Sequence, residues 1–119
     1  MTPPPYPAQG DVWEVNLNPI VGHEQRGRAR PCLVVSVDAL NAARWVIVVV
    51  PMTSQLRSLN TRVRIPAGEG GQPIESDILC EQLRAVDMQR LGSRLGRVER
   101  STLKTLKTVS DMIRRLIMV

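Results

Sequence analysis

The sequence predicts a mainly β domain with short helices, arranged as a small twisted barrel or strongly curled sheet and finished by one amphipathic helix. Three observations carry this. Short apolar or alternating runs, bounded by Pro, Gly, Asn and Asp, recur from Asp11 to Val98. The hydrophobic period turns helical only after Glu99, where Leu103, Leu106, Val109, Ile113 and Leu116 form one stripe. The chain has 119 residues, enough for one compact domain and not two. Residues 9–119 are assigned to that domain, and residues 1–8 to an extended, flexible proline-rich lead-in.

Each element has its own signal. Asp11 to Leu17, "DVWEVNL", alternates and reads as a half-buried strand, broken by "LNPIVG". Cys32 to Val37 reads as the second strand. "DALNAAR" has room for a turn or two of helix, with Asp38 as its cap. Trp45 to Val50, "WVIVVV", is apolar throughout and rich in β-branched residues, so it is placed as the most central strand, ended by Pro51. "TSQLRSLN" is a polar loop. Thr61 to Ile65, "TRVRI", is a strand with its arginines on the open face. "PAGEGGQP" is a turn-rich excursion. "SDILCEQLRAVD" reads as one longer strand, bent along its length. Met88 to Leu91 forms a short helical turn, and "GSRLGRV" a last strand. Glu99 and Ser101 are candidate caps for the final helix. The total is five to seven strands, mostly antiparallel.

Composition narrows the class. Hydrophobic residues make up 43% of the chain, aromatics only 3%, and there is no Phe, so the core is built from Val, Ile, Leu and Met. No run has the length of a transmembrane helix, and "MTPPPYPAQG" lacks the basic and apolar regions of a secretory signal. Cys32 and Cys80 sit in apolar surroundings without a CxxC or Cys/His cluster. They read as buried free thiols, with no metal site and a cytoplasmic compartment. The net charge of +5 favours a polyanionic partner, nucleic acid before an acidic protein or a membrane surface.

The most informative stretch is "PIVGHEQRGRARPCLVVS", Pro19 to Ser36. A loop with the chain's one histidine and three arginines opens directly into a core strand. Gly22 and Gly27 let its backbone turn sharply. Arg26, Arg28 and Arg30 supply planar cations suited to phosphate. His23 has an unperturbed pKa near neutrality. The rival reading is a solvated surface loop with chance charges.

The order of the motifs decides between the two. "GDVWEVNLNPIVGHEQRGRARPCLVVSVDALN" resembles the start of the MazF/PemK family of toxin ribonucleases: a GD-strand, an NP-type turn, G-x-E-Q, then R-P and an apolar strand. "VVVPMTSQ" resembles the family's strand ending in Pro-x-Thr-Ser. "SDILCEQLRAVDMQRL" and the C-terminal helix agree with its later elements. The resemblance runs from Gln9 to the C-terminus. It implies a small barrel related to SH3 folds (CcdB/PemK-type), a homodimer, cofactor- and metal-independent cleavage of single-stranded RNA, and neutralisation by a cognate antitoxin, for which the chain's positive charge predicts an acidic character. It also implies catalytic roles for Arg30 of the R-P pair and Thr53 of Pro-x-Thr-Ser.

Two features depart from the family pattern. One extra residue separates Gln25 from the R-P pair, so Arg28 competes with Arg30; strand register favours Arg30, which directly precedes Pro31. His23 stands where many relatives carry Ser.

The chemistry is self-consistent. The RNA 2′-hydroxyl can attack the adjacent phosphorus if one group accepts its proton, another protonates the leaving 5′-oxygen, and cations stabilise the phosphorane. Arg30 can donate and stabilise but is a poor base. Thr53 can hold a phosphate oxygen or orient the 2′-hydroxyl. His23 or Glu24 can accept the proton. Gln25, Arg26, Arg28, Ser54 and Gln55 are candidate substrate contacts, and Arg57, Arg62 and Arg64 candidate contacts to the RNA backbone. Against these stand plainer roles. Glu24 and Gln25 can simply fix the loop, Thr53 can merely end its strand, and Arg62 and Arg64 can form a solvated face. Trp13 and Trp45 read as core or interface residues rather than base-stacking platforms. The RNA itself can be mRNA, rRNA or tRNA. The alternative function is a non-catalytic toxin of the same fold that binds DNA gyrase, as the CcdB type does. An inactive nucleic-acid-binding module is a third reading.

Overall fold

The computed structural model describes residues 6–17, 29–43, 45–98 and 103–117. The elements are β1 (Asp11–Val15), β2 (Arg30–Val34), α1 (Asp38–Ala43), β3 (Val46–Thr53), β4 (Arg62–Ile65), β5 (Ser76–Leu79), β6 (Arg84–Asp87), β7 (Leu91–Arg97) and α2 (Leu103–Ile117). Short 3-10 turns occupy Glu69–Gly71, Cys80–Gln82 and Met88–Arg90. The seven strands form one antiparallel sheet in the order β4-β5-β3-β2-β1-β7, with β6 also on β3. Among the described residues β4 and β7 do not pair. The mainly β, antiparallel architecture expected from the sequence is present, but among the described residues the sheet stays open instead of closing into a barrel.

The sheet buries both faces, because adjacent residues on its central strands feed opposite cores. Val12, Leu33 and Val50 form one cross-strand row and join Met52, Val63, Ile65, Ile78 and Cys80 under Val109 of α2. Val15, Cys32, Val34, Ile47, Val49 and Val86 form the core of the other face, with Trp13, Met88 and Leu91 against it. Cys32 and Cys80 are both free and buried, one in each core.

Several expectations are corrected. Pro51 does not end the central strand; β3 runs on to Thr53. One edge of β3 pairs with β6 as far as Val49 and with β5 from Met52. Pro51 falls at that handover, where a missing N–H costs no ladder bond. "SDILCEQLRAVD" is two strands, β5 and β6, split by the turn at Cys80–Gln82. Asp38 does not cap α1; it accepts the amide of Gln9 at 2.7 Å, while the Leu40 and Asn41 amides turn back to the Val37 carbonyl. Trp45 precedes β3 and is 81% exposed, so it is not a core residue. Pro7 and Ala8, grouped with the lead-in by sequence, are buried. Asn41 Nδ2 donates to the Pro7 carbonyl and the Ala8 amide donates to Asp11. The candidate caps Glu99 and Ser101 lie outside the described residues.

The turn-rich excursion has a packing role. Gly71 has φ +71°, and a Cβ there would stand 2.0 Å from the Leu95 carbonyl oxygen. A Cβ on Gly96 would stand 2.6 Å from the Gly71 nitrogen. Only two glycines allow the turn to lie directly on β7.

Candidate active site

The site starts from strand register. β2 and β3 pair Val34 with Val49, Leu33 with Val50 and Cys32 with Pro51. That pairing ends there; two residues further on, Arg30 begins β2, paired with Val15 of β1, and Thr53 ends β3. On the next strand Thr53 pairs with Asp77 of β5, and Asp77 pairs with Arg64 of β4. Thr53, Asp77 and Arg64 therefore form a single cross-strand row, and Arg30, two residues before Cys32, shares its face of the sheet. Met52, Val63 and Ile78, their sequence neighbours, point into the α2-covered core. The row thus lies on the face away from α2.

Arg30 is half-buried at the start of β2. Thr53 closes β3 with 7% exposure. Its Oγ1 accepts the Gln55 amide at 3.1 Å, which leaves the hydroxyl proton available to a phosphate oxygen. Ser54, Gln55 and Arg57 follow on an exposed segment. His23, Glu24, Gln25, Arg26 and Arg28 lie outside the described residues.

Asp77, which the sequence reading missed, organises that segment. It is 1% exposed. Oδ2 accepts the Arg57 amide at 2.9 Å and Arg62 Nη1 at 3.3 Å; Oδ1 accepts Arg64 Nε at 2.9 Å. The two arginines then reach back to the segment, Arg62 to the Gln55 carbonyl and Arg64 to the Arg57 carbonyl. Burial pushes the Asp77 carboxyl up, but the bonds from Arg64, the Arg57 amide and Arg62 outweigh it and hold the group below its ordinary range. Arg62 and Arg64 are thus ion-paired and not a freely solvated face. Two arginines alternating in "TRVRI" and an aspartate directly before an apolar run were the available signal. Strand pairing was needed to join them.

Arg84 is a second residue missed by the sequence reading. It pairs with Val49 across β3–β6, on the same face, and donates to the Leu17 carbonyl at 3.3 Å. It ties down the point where the Pro19–Arg30 loop departs. Nearby Cys32 has its thiol pushed up to about 12 by burial, against the opposing pull of Arg84.

This geometry meets a clear family match. Residues 8–112 match the family described as PemK-like, MazF-like toxin of type II toxin–antitoxin system. The chain belongs to the PemK/MazF toxin family. It is 38% identical to endoribonuclease EndoA of Bacillus subtilis over 93 residues, covering 76% of this chain and 79% of that one. The fold superposes on the crystal structure of MazF from Deinococcus radiodurans with a TM-score of 0.82 and 27% identity, covering 96% and 98% of the two chains. It also matches, at 24% identity and a TM-score of 0.73, a mycobacterial endoribonuclease solved in complex with its cognate antitoxin, covering 92% and 96%. The gyrase-binding alternative gains nothing from these PemK/MazF relatives.

Proposed function

We propose that this PemK/MazF toxin is an endoribonuclease that cuts single-stranded RNA by attack of the 2′-hydroxyl on the adjacent phosphorus. The observation that supports the reading is that Arg30 begins β2 and Thr53 ends β3, each two residues beyond the last pair of these strands, Cys32 with Pro51. The new bond is 2′-O–P and the broken bond is P–O5′. The 2′ proton goes to a base, for which His23 and Glu24 are the candidates, and the 5′-oxygen takes up a proton as it leaves. Arg30 serves as donor and stabilises charge on the phosphorane; the Thr53 hydroxyl holds a phosphate oxygen. The nucleophile is internal to the substrate, so no metal-activated water is called for. The products are a 2′,3′-cyclic phosphate and a 5′-hydroxyl. Cleavage of RNA in EDTA with those ends is the expected result; cleavage lost to chelator, or a 5′-phosphate, counts against it.

The family supports a cognate antitoxin as inhibitor. Against a chain of charge +5, an acidic, partly disordered segment that folds onto the toxin is the fitting partner. Salt should slow its association more than it speeds dissociation. A homodimer is proposed through the apolar surface near Trp45. Val46, next to it in sequence, and Val37 are also exposed. A groove of about 570 Å³ runs between Val35, Val48, Leu106 and Ile113. Trp45→Arg should shift the protein to monomer in equilibrium sedimentation.

A further inference from the structure

We infer that the pocket built by Arg57, Arg62 and Arg64 around Asp77 binds a backbone phosphate of the RNA, adjoining the one held at Thr53. The inference rests on the ribonuclease reading above. The pocket has a volume of about 180 Å³ and is lined by Arg57, Ser58, Leu59, Arg62, Arg64 and Asp77. The guanidiniums of Arg62 and Arg64 face one carboxylate, and Arg57, whose backbone amide is bonded to it, also lines the pocket. That carboxylate is already engaged, since both its oxygens accept hydrogen bonds from this cluster. Glu75, 3.7 Å from Arg64, is solvent-exposed and does not line the pocket. Arg62 Nε is buried without a hydrogen-bond partner. The cluster therefore holds more donors and more positive charge than its own acceptors satisfy. A tetrahedral anion with several acceptor oxygens is the complement.

Position selects the source of that anion. Arg64 and Thr53 share one cross-strand row with Asp77 between them. Two strand spacings put their backbones roughly 10 Å apart. An RNA strand with its scissile phosphate at Thr53 carries its neighbouring phosphates across this pocket. Asp77 then serves the substrate indirectly, because it fans the guanidiniums at a fixed spacing and pins the Thr53–Arg57 segment beside them.

The test uses the full-length protein with two probes. The first is an oligothymidine DNA strand, which lacks the 2′-hydroxyl and cannot be cut by this chemistry. Its affinity is followed by fluorescence anisotropy as a function of KCl. The double variant Arg57→Ala/Arg64→Ala should lower the log–log salt slope by about 0.7, the loss of one phosphate contact on a single strand. Arg114→Ala, on the helix covering the opposite face, should leave the slope unchanged. The second probe is cleavable RNA. The double variant should raise KM about tenfold with little change in kcat. Arg64→Lys, which keeps the charge, should restore most of the slope. An unchanged slope and KM in a folded double variant overturns the pocket, as does a loss confined to capture of an acidic antitoxin peptide. A wild-type protein that never cuts RNA defeats the ribonuclease reading instead, while the DNA arm still decides the pocket.

Discussion

Thr53 and Asp77 face each other across β3 and β5, and the buried carboxylate of one fixes the turn that leaves the other. A hydroxyl at a strand end is ordinarily loose. Here the Arg57 amide, Arg62 and Arg64 all close on Asp77, so the segment after Thr53 is held from three directions.

Asp77→Asn should therefore destabilise the fold by about 2 kcal/mol at neutral pH, through weakened charge-assisted hydrogen bonds. Its pH dependence has a defined sign. The folded carboxyl titrates below its unfolded value of about 3.9 because hydrogen bonds from the arginines and the Arg57 amide overcome burial. Above that value the contribution is complete. Below it the unfolded chain takes up a proton first, and stability is lost as pH falls through the folded pKa. Urea melts between pH 7 and pH 3 should show the wild type converging on the Asn variant. Parallel curves would show that Asp77 contributes no charge-dependent stability.

Arg30→Ala and Thr53→Ala should each remove at least ~2 kcal/mol of transition-state stabilisation while melting like the wild type. Arg28→Ala should cost less and act mainly on binding. Steady-state cleavage of one RNA by all three variants checks this. A larger loss for Arg28→Ala would reverse the assignment within the lengthened loop.

His23→Ser tests proton transfer. Loss of one limb of the kcat/KM pH profile near neutrality is the expected result for a base. An unchanged profile makes His23 structural.

Cys32 and Cys80 should be inert in the folded protein. Burial pushes their thiols up to about 12 and about 11, and thiolate is the reactive form. Alkylation at pH 8 should be negligible until denaturant is added, when both should react. The two thiols lie in cores on opposite faces of the sheet, so mild oxidant should leave them unpaired.

Gly71→Ala should cost at least ~2 kcal/mol, because a Cβ meets the Leu95 carbonyl and the residue keeps a positive φ. Gly68→Ala is the comparison. Its φ of +93° is also unfavourable for Ala, but its Cβ would meet nothing within 4 Å. The difference between their melts isolates the packing of this turn on β7.

The sequence by itself determined the types of most elements and the family, and it named an R-P arginine and a Pro-x-Thr-Ser threonine as candidates. These are local signals: period-two alternation in β1 and β4, a β-branched run in β3, a helical stripe in α2, and motifs read in order. It did not reveal that β3 passes through Pro51, because a proline is tolerated only where a neighbouring strand gives out, and that depends on which strands flank it. Nor did it reveal the Arg57–Arg62–Arg64 cluster on Asp77. Arg57 and Asp77 are 20 residues apart in sequence. An isolated strand cannot say which partner will neutralise its charges. Only the register of β3, β5 and β4 brings the Thr53 hydroxyl, the Asp77 carboxylate and the Arg64 guanidinium onto one row of one face, because cross-strand neighbours are set by pairing and not by distance along the chain.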